Sequence, residues 1–147
     1  MEIFEATPFD ITQLSKLFNE YRMFYKQPSG IDVAKEFLEE RMKLKQSIIY
    51  IAYDNDIAVG FVQLYPIFSS VQLKRLWLLN DLYVREEYRK NGVASLLIEK
   101  CKDLIKSDES AGILLETSSD NESANKLYVK EGFIKTSNHF YYWSDKS

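Results

Sequence analysis

Residues 80–94 read Asn80-Asp81-Leu82-Tyr83-Val84-Arg85-Glu86-Glu87-Tyr88-Arg89-Lys90-Asn91-Gly92-Val93-Ala94, and the hydrophobic pattern changes period inside them. Leu76, Leu78, Leu82 and Val84 fit one face of a period-2 strand, whereas Val93, Leu96, Leu97, Cys101, Leu104 and Ile105 fit one stripe of a helix. The switch falls across Arg89 to Gly92. Gly92 removes the Cβ that would hold a ligand off the backbone, and a helix starting there leaves its first N–H groups without intrahelical partners. A phosphate is the natural guest of such a turn.

Composition narrows what surrounds this turn. The 147 residues are 46% hydrophobic and 28% charged, which is the makeup of one globular domain spanning 1–147 and able to bury roughly 70% of its unfolded surface. The net charge is −3 and the basic residues are scattered, so the electrostatic footprint of a nucleic-acid binder is missing and cationic small molecules are tolerated. One cysteine and one histidine rule out a disulfide framework and a His/Cys zinc cage, so no metal is expected and a reducing cytoplasm is. No apolar run approaches the roughly 20 residues of a membrane span. A cytoplasmic protein without a membrane partner is expected.

Working outward, residues 2–6 predict a short strand, and Asp10 with Gln13 resembles a capping box opening a helix with Leu14, Leu17, Phe18, Tyr21 and Tyr25 on one stripe. Gln27-Pro28-Ser29-Gly30 stops it. A second helix over about 32–45 turns Val33, Phe37 and Leu44 inward, and its charged run Lys35–Lys45 reads as a solvated face. Residues 48–53 and 57–68 flank Asp54-Asn55-Asp56 as a hairpin, and 72–84 adds a third strand. After a helix at 92–106, Ala111–Thr117 reads as a buried strand parallel to residues near 80. Asn121–Glu131 reads as a helix capped by Asn121 and closed by Gly132, and 133–144 as two aromatic strands. The predicted order is β-α-α-β-β-β-α-β-α-β-β.

With the strand, the turn Arg89-x-x-Gly92-x-Ala94 and the helix Asn121-x-x-Ala124-x-x-Leu127-Tyr128-x-x-x-Gly132-Phe133 in place, the chain resembles the GNAT superfamily of N-acetyltransferases over nearly its whole length. The segments Tyr21–Pro28 and Leu64–Asp81 look most like the branch containing histone and polyamine acetyltransferases and their bacterial relatives. The resemblance implies an α/β (α+β) fold with a mixed sheet of about six to seven strands, splayed at the coenzyme site, with helices on both faces. It implies acetyl-CoA as co-substrate. The main chain of Leu82, Tyr83 and Val84 would then hold the thioester and pantetheine arm, and Arg89, Lys90, Asn91, Gly92, Val93 and Ala94 would surround the pyrophosphate, with a hydroxyl from Ser95. Lys90 stands where many relatives carry glycine, and Ala94 replaces a common glycine; neither exchange removes the donors.

An amine attacking a thioester must be neutral, needs donors for the developing oxyanion, and needs an acid for the departing thiolate. Tyr128 follows Asn121 by about two helical turns, so both side chains lie near one face of the helix that the resemblance sets beside the coenzyme's sulfur. The resemblance makes Tyr128 the general acid and Asn121 an orienter of the coenzyme or of a water. Asp81 and Glu116, at the inner ends of the two parallel strands, are the candidates for taking the amine's proton, directly or through water, or for attracting the ammonium. Tyr21, Phe24, Tyr25, Tyr65 and Phe68 would wall the acceptor pocket, with Asn80 and Asp81 as further substrate-binding candidates. Cys101 sits on an apolar stripe and reads as core rather than nucleophile, and His139 as a solvated or packing residue.

The expected function is therefore acetyl transfer to a primary amine of a small molecule, such as a polyamine or amino acid, by direct attack in a ternary complex. Two alternatives stand beside it. One is a non-catalytic acyl-CoA sensing module; the other is an acetyltransferase for protein lysines or N-termini. The aromatic C-terminal stretch Phe133, Phe140, Tyr141, Tyr142 and Trp143 predicts a homodimer.

Overall fold

The computed structural model describes residues 1–146, which form two compact units meeting in sequence between Glu116 and Thr117. The first unit contains β1 (Glu2–Glu5), α1 (Ile11–Phe24), α2 (Ile31–Lys43), β2 (Ile48–Asp54), β3 (Ile57–Ser69), β4 (Lys74–Val84), α3 (Val93–Asp108) and β5 (Ile113–Leu114). The five strands lie in the order β1-β2-β3-β4-β5. All pairs are antiparallel except the last, where Trp77 pairs with Ile113 and Leu78 with Leu114 in parallel. The crossover through α3 thus joins parallel neighbours, as the period change at Gly92 predicts.

Each face of the sheet receives helices. Leu14, Leu17 and Phe18 of α1 and Ala34 and Leu38 of α2 pack with Ile49, Ile51, Ala58 and Phe61. Phe61 is fully buried, a position whose truncation to alanine costs about 3–5 kcal/mol. On the other face lies α3, whose buried stripe is Val93, Leu97, Ile98 and Cys101; its last residue, Asp108, accepts a 2.8 Å hydrogen bond from Trp77 Nε1 of β4. The hairpin closes at Asp54 paired with Ile57, with Asn55 at φ 55°. Gly60 allows β3 and β4 to approach: a Cβ there would lie 2.9 Å from the Tyr83 carbonyl oxygen.

Three helix expectations are corrected. Asp10 does not cap α1; it closes a capping box with Thr7 around a one-turn 3-10 helix, accepting from Thr7 N at 2.9 Å. Gln13 instead clamps the distant hairpin, donating to the Asp56 carbonyl and accepting from Ala58 N. On α2 the inward stripe is Ala34 and Leu38, while Val33, Phe37 and Leu44 are exposed. Phe37 still stacks on Phe18 at 5.9 Å.

The sheet corrections follow from pairing. Five strands form rather than six to seven, because residues 133–146 make no ladder among the described residues. Their aromatic composition favours strands only where a neighbouring strand supplies a pleated surface, and Phe140, Tyr141, Tyr142 and Trp143 are exposed. The strand expected at 111–117 shrinks to Ile113–Leu114. Within β4 the single face expected for Leu76, Leu78, Leu82 and Val84 does not exist. Leu79 pairs with Leu64 and Asp81 with Gln63, which leaves Asn80 as an extra residue in a bulge. Cross-strand partners share a face, so Leu76 and Leu78 lie on the side of Tyr65, and Leu82 and Val84 on the opposite side.

The second unit holds α4 (Glu122–Lys130). Asn121 caps it, its side-chain oxygen accepting from Ala124 N at 3.1 Å. The far end is a Schellman motif: Phe133 N donates to Tyr128 O at 2.9 Å and Gly132 N to Val129 O at 3.1 Å, with Gly132 at φ 92°. The accompanying apolar contact is Phe133 against Tyr128, ring centres 5.6 Å apart.

Candidate active site

The bulge at Asn80 aims Asp81 onto the α1/α2 side of the sheet, beside Gln63, Phe61 and Tyr83. Asp81 is buried, its Oδ2 accepting from Gln63 Nε2 at 2.7 Å and its Oδ1 from Asn80 Nδ2 at 3.1 Å. Burial pushes its carboxyl above the ordinary value; hydrogen bonds from Gln63, Tyr21 and Asn80 pull the other way. The other end of the Gln63 amide, Oε1, is buried without a partner. Tyr65, two residues along β3, has its phenol pushed up to about 12 by burial and then by the charge of Asp81, while Arg41 lowers it.

Aromatic rings surround this carboxylate. Tyr21 meets Phe61 at 5.6 Å, Tyr83 at 6.1 Å and Tyr25 at 5.1 Å. Phe24 continues the series to Tyr25 at 5.3 Å, and the Arg89 guanidinium lies over both Phe24 and Tyr83. Phe68, expected in the same wall, stands farther along β3 on the opposite face, under the guanidinium of Arg75 together with Trp77, and does not join the rings around Asp81. Glu116 lies two residues beyond the last paired residue of β5 and is exposed. The structure therefore gathers Tyr21, Tyr65, Asn80 and Asp81 with Tyr83 on one face, and puts Glu116 in a different setting from Asp81. Asn121 and Tyr128 belong to the second unit, where they cap and close α4.

The turn after β4 is held by its own side chains. Arg85 engages Glu20 of α1 through both Nε and Nη2, at 3.1 and 2.9 Å, and Tyr83 donates to the same carboxylate at 3.4 Å. Arg89 Nε donates to the Val84 carbonyl at 2.7 Å, and Asn91 Nδ2 to the Arg89 carbonyl at 3.1 Å. Lys90 at φ 64° and Gly92 at φ 81° bracket Asn91, a left-handed alternation that converges successive N–H groups on one point. The ladder of α3 begins with Leu96 N on the Gly92 carbonyl at 3.1 Å, so the N–H groups of Val93 and Ala94 precede it. A Cβ at Gly92 would meet nothing within 4 Å, so glycine is favoured there by the left-handed backbone conformation and not by crowding. These features suit a pyrophosphate.

A cavity of about 930 Å³ lies elsewhere in the first unit, among Thr7, Ile11, Met42, Ser47, Pro66, Trp77 and Asp108. It shares no residue with Asp81 or with the turn 89–94, and the donor and acceptor chemistry just described is at the turn and Asp81.

Sequence reasoning missed Gln63, Glu20, Arg85 and Arg41. Gln63 could have been found as a polar residue inside the otherwise apolar run 57–68; the others carry no local signal, since their roles come from tertiary pairing. Arg41, expected on a solvated face, has a side chain only 20% exposed.

Comparison with known proteins agrees with this geometry. The model of the acetyltransferase (GNAT) family matches residues 12–133. An uncharacterized N-acetyltransferase of Bacillus subtilis, YhfO, is 37% identical over 142 residues, covering 97% of this chain and 95% of the relative. A probable acetyltransferase of Haemophilus influenzae is 35% identical over 134 residues, covering 90% of each chain. The crystal structure of a probable acetyltransferase superposes with a TM-score of 0.92 at 39% identity, covering 99% of this chain and 100% of that one. No helix among the described residues is long and apolar enough to cross a membrane. A family model that spans residues 12–133, with relatives at 35% and 37% identity covered nearly end to end, leads to one assignment: this chain belongs to the GNAT family of acetyltransferases.

Proposed function

We propose that this chain transfers the acetyl group of acetyl-CoA to a primary amine of a small molecule, by direct attack. The observation that carries the reading is Asp81: a buried carboxylate with a raised pKa, on the aromatic side of the sheet and three residues before the end of the strand that leads to the turn. An alkylamine with a pKa near 10 is neutral in only about one molecule per thousand at pH 7, a handicap of roughly 4 kcal/mol. A carboxylate in the site gives that proton an acceptor, directly or through water, and the tyrosine faces of Tyr21 and Tyr83 hold the cation until then. The coenzyme, when bound, supplies the thioester; the C–N bond forms as the C–S bond breaks, one amine proton passes to Asp81 or a water on it, and the thiolate is protonated.

For the coenzyme, Arg89 through Ala94 are the pyrophosphate cradle, with Ser95 adding a hydroxyl, and the main chain of Leu82–Val84 receives the arm. Tyr128 is carried as the general acid on the family motif, and Glu116 remains the alternative acceptor of the proton. The buried thiol of Cys101 suits a reducing cytoplasm, and the exposed Phe140 to Trp143 favour a homodimer, which sedimentation at micromolar concentration reads directly.

The test is thiol release from acetyl-CoA against polyamines, aminoglycosides, amino acids and basic peptides, with product mass. Turnover on small amines, lost on Tyr128→Phe with coenzyme binding kept, supports the reading. Coenzyme binding with silence on every acceptor favours a sensor instead, and turnover on peptides alone favours a protein acetyltransferase.

A further inference from the structure

Arg85 and Arg89 stand at the two ends of the single 3-10 turn Glu86–Tyr88 that leads from β4 to the coenzyme cradle, and both send their side chains to the same helix. Arg85 grips Glu20 through Nε and Nη2. The Arg89 guanidinium lies 5.5 Å over the ring of Phe24 and 5.6 Å over that of Tyr83. Glu20 and Phe24 are four residues apart on α1, hence neighbours on one face, separated by about one helical turn. Neither contact is strong alone, because Glu20 is partly solvated and Phe24 is exposed. One such contact leaves a helix free to pivot about it; two at different heights fix its direction.

Arg89 also holds the strand, its Nε donating to the Val84 carbonyl at 2.7 Å. That carbonyl and the Arg85 N–H belong to one peptide and point opposite ways. The N–H goes to the Val59 carbonyl of β3 at 2.9 Å, so the Val84 oxygen faces the strand edge away from β3. Lys90 and Gly92, with their positive φ angles, follow directly. The main chain of Arg89 therefore opens the cradle, while its side chain turns back to a strand carbonyl and two rings. From Phe24 the contacts continue to Tyr25 at 5.3 Å and from Tyr25 to Tyr21 at 5.1 Å, and Tyr21 meets Tyr83 at 6.1 Å. The path that starts at the turn thus ends among the rings on the Asp81 side of the sheet.

We propose that Arg89 is a positioning residue whose side chain, together with Arg85, straps the acceptor wall to the coenzyme turn, so that coenzyme seated on the turn holds the end of α1 in place. The inference rests on the amine-acetylation reading above and adds to it a residue that acts on the acceptor through Phe24 and Tyr83. The guanidinium is not a phosphate ligand; the cradle takes only the main chain of Arg89. The last turn of α1 opens only by leaving both arginines, and a turn fixed by coenzyme cannot follow it, so the opening becomes rarer. By linkage, an acceptor held among these rings tightens coenzyme binding by the same factor.

The experiment is amide hydrogen exchange with and without saturating coenzyme A, in the wild type, Glu20→Gln and Arg89→Gln. Coenzyme A is expected to slow exchange across residues 21–27 of the wild type by about tenfold, and by about twofold or less in either variant. The first turns of α1, residues 11–17, should respond alike in all three. A merely structural contact would change the exchange rates but not this ratio. Arg89→Lys, which keeps a cation over the rings, should restore part of the protection. For any amine the enzyme turns over, Glu20→Gln should raise the amine's KM severalfold, with that of acetyl-CoA and kcat little changed. Exchange at residues 21–27 of the wild type that ignores coenzyme A overturns the inference and leaves amine acetylation intact. So does a tenfold or larger loss of coenzyme affinity in Arg89→Gln with a shallower salt dependence, which puts the guanidinium on the phosphates. Failure of the wild type to bind coenzyme A removes the acetyl-transfer reading and this inference with it. Glu20→Gln lies outside the cradle, so it decides the matter even if Arg89→Gln fails to fold.

Discussion

Gln63 Nε2 and Asp81 Oδ2 lie 2.7 Å apart, at the register step where β4 carries one residue more than β3. The pair is the reason a carboxylate can be buried in a β-sheet at all: the amide donates to it, Asn80 donates to its other oxygen, and the bulge turns it away from the apolar α3 side.

Asp81→Asn separates what this carboxylate does for chemistry from what it does for stability. Loss of the proton acceptor should lower kcat/KM by about 10²–10⁴-fold. Stability should move the other way. The folded-state pKa is raised above the ordinary value of 3.8, so only in the pH range between those two values does the native state hold a proton that the unfolded chain has released. The stabilising contribution is full below the ordinary carboxylate value and is lost as pH rises through the raised one. The asparagine variant, whose new amide the flipped Gln63 Oε1 can accept, should therefore have a higher Tm than wild type at pH 7–8 and a flatter profile of Tm against pH.

Gly92→Ala tests the turn. Nothing lies within 4 Å of the added Cβ, but the residue sits at φ 81°, and a left-handed conformation costs an alanine about 1–2 kcal/mol. If the backbone relaxes to escape that cost, the converging N–H groups part. Denaturant unfolding should show a loss of about 1 kcal/mol, and calorimetry about a tenfold weaker Kd for coenzyme A. Unchanged affinity with less than the full strain cost in stability, the sign of a relaxed turn, would show that the pyrophosphate binds elsewhere.

Glu20 and Arg85 fasten α1 to the end of β4. Their side chains are 37% and 22% exposed, so solvent screening holds the pair to about 1 kcal/mol despite its two-pronged geometry. Glu20→Gln should cost that amount, the loss should shrink at high salt, and a double-mutant cycle with Arg85→Gln should recover a coupling of the same size.

The Cys101 thiol is pushed up to about 12 by burial. The native protein should resist thiol reagents at pH 8 and react only on unfolding. Cys101→Ser should keep most of its turnover while losing about 1–3 kcal/mol of stability to a buried hydroxyl. Abolished turnover in a folded Cys101→Ser protein would contradict direct attack.

Much of this molecule is legible in its sequence because the relevant signals are local. The period change at Gly92, the Asn121 cap and the Gly132 closure depend on a few adjacent residues, and each forms where the pattern puts it; the hairpin expected around Asp54-Asn55-Asp56 also forms, with Asp54 drawn into the strand opposite Ile57. What the sequence hides depends on partners far along the chain. Leu76, Leu78, Leu82 and Val84 alternate without a flaw, yet lie on two faces, because the bulge is set by pairing with Gln63 and Leu64. The final aromatic stretch has strand-forming residues and no ladder among the described residues. In α2, a run of charges looks solvated from Lys35 to Lys45, but the helix's inward stripe carries Arg41 partly under cover beside Phe37. Asp81 and Gly92, as candidate site residues, were visible in sequence; the buried, partnerless Nε of Arg41 and the orphaned oxygen of Gln63 were not, since both are statements about what is missing from a neighbourhood.

The extra residue in β4 has a further consequence. Leu79 already pairs with Leu64 and Asp81 with Gln63, so deleting Asn80 leaves both halves of the strand pointing as before and makes the alternation regular. Such a shortened chain should fold at least as readily as the natural one, with a straighter β4 and an Asp81 stripped of one hydrogen-bond donor and of its local twist. Length, at position 80, is a variable independent of sequence identity: by this measure the protein is one amino acid longer than its architecture requires, and that surplus residue sits next to the carboxylate.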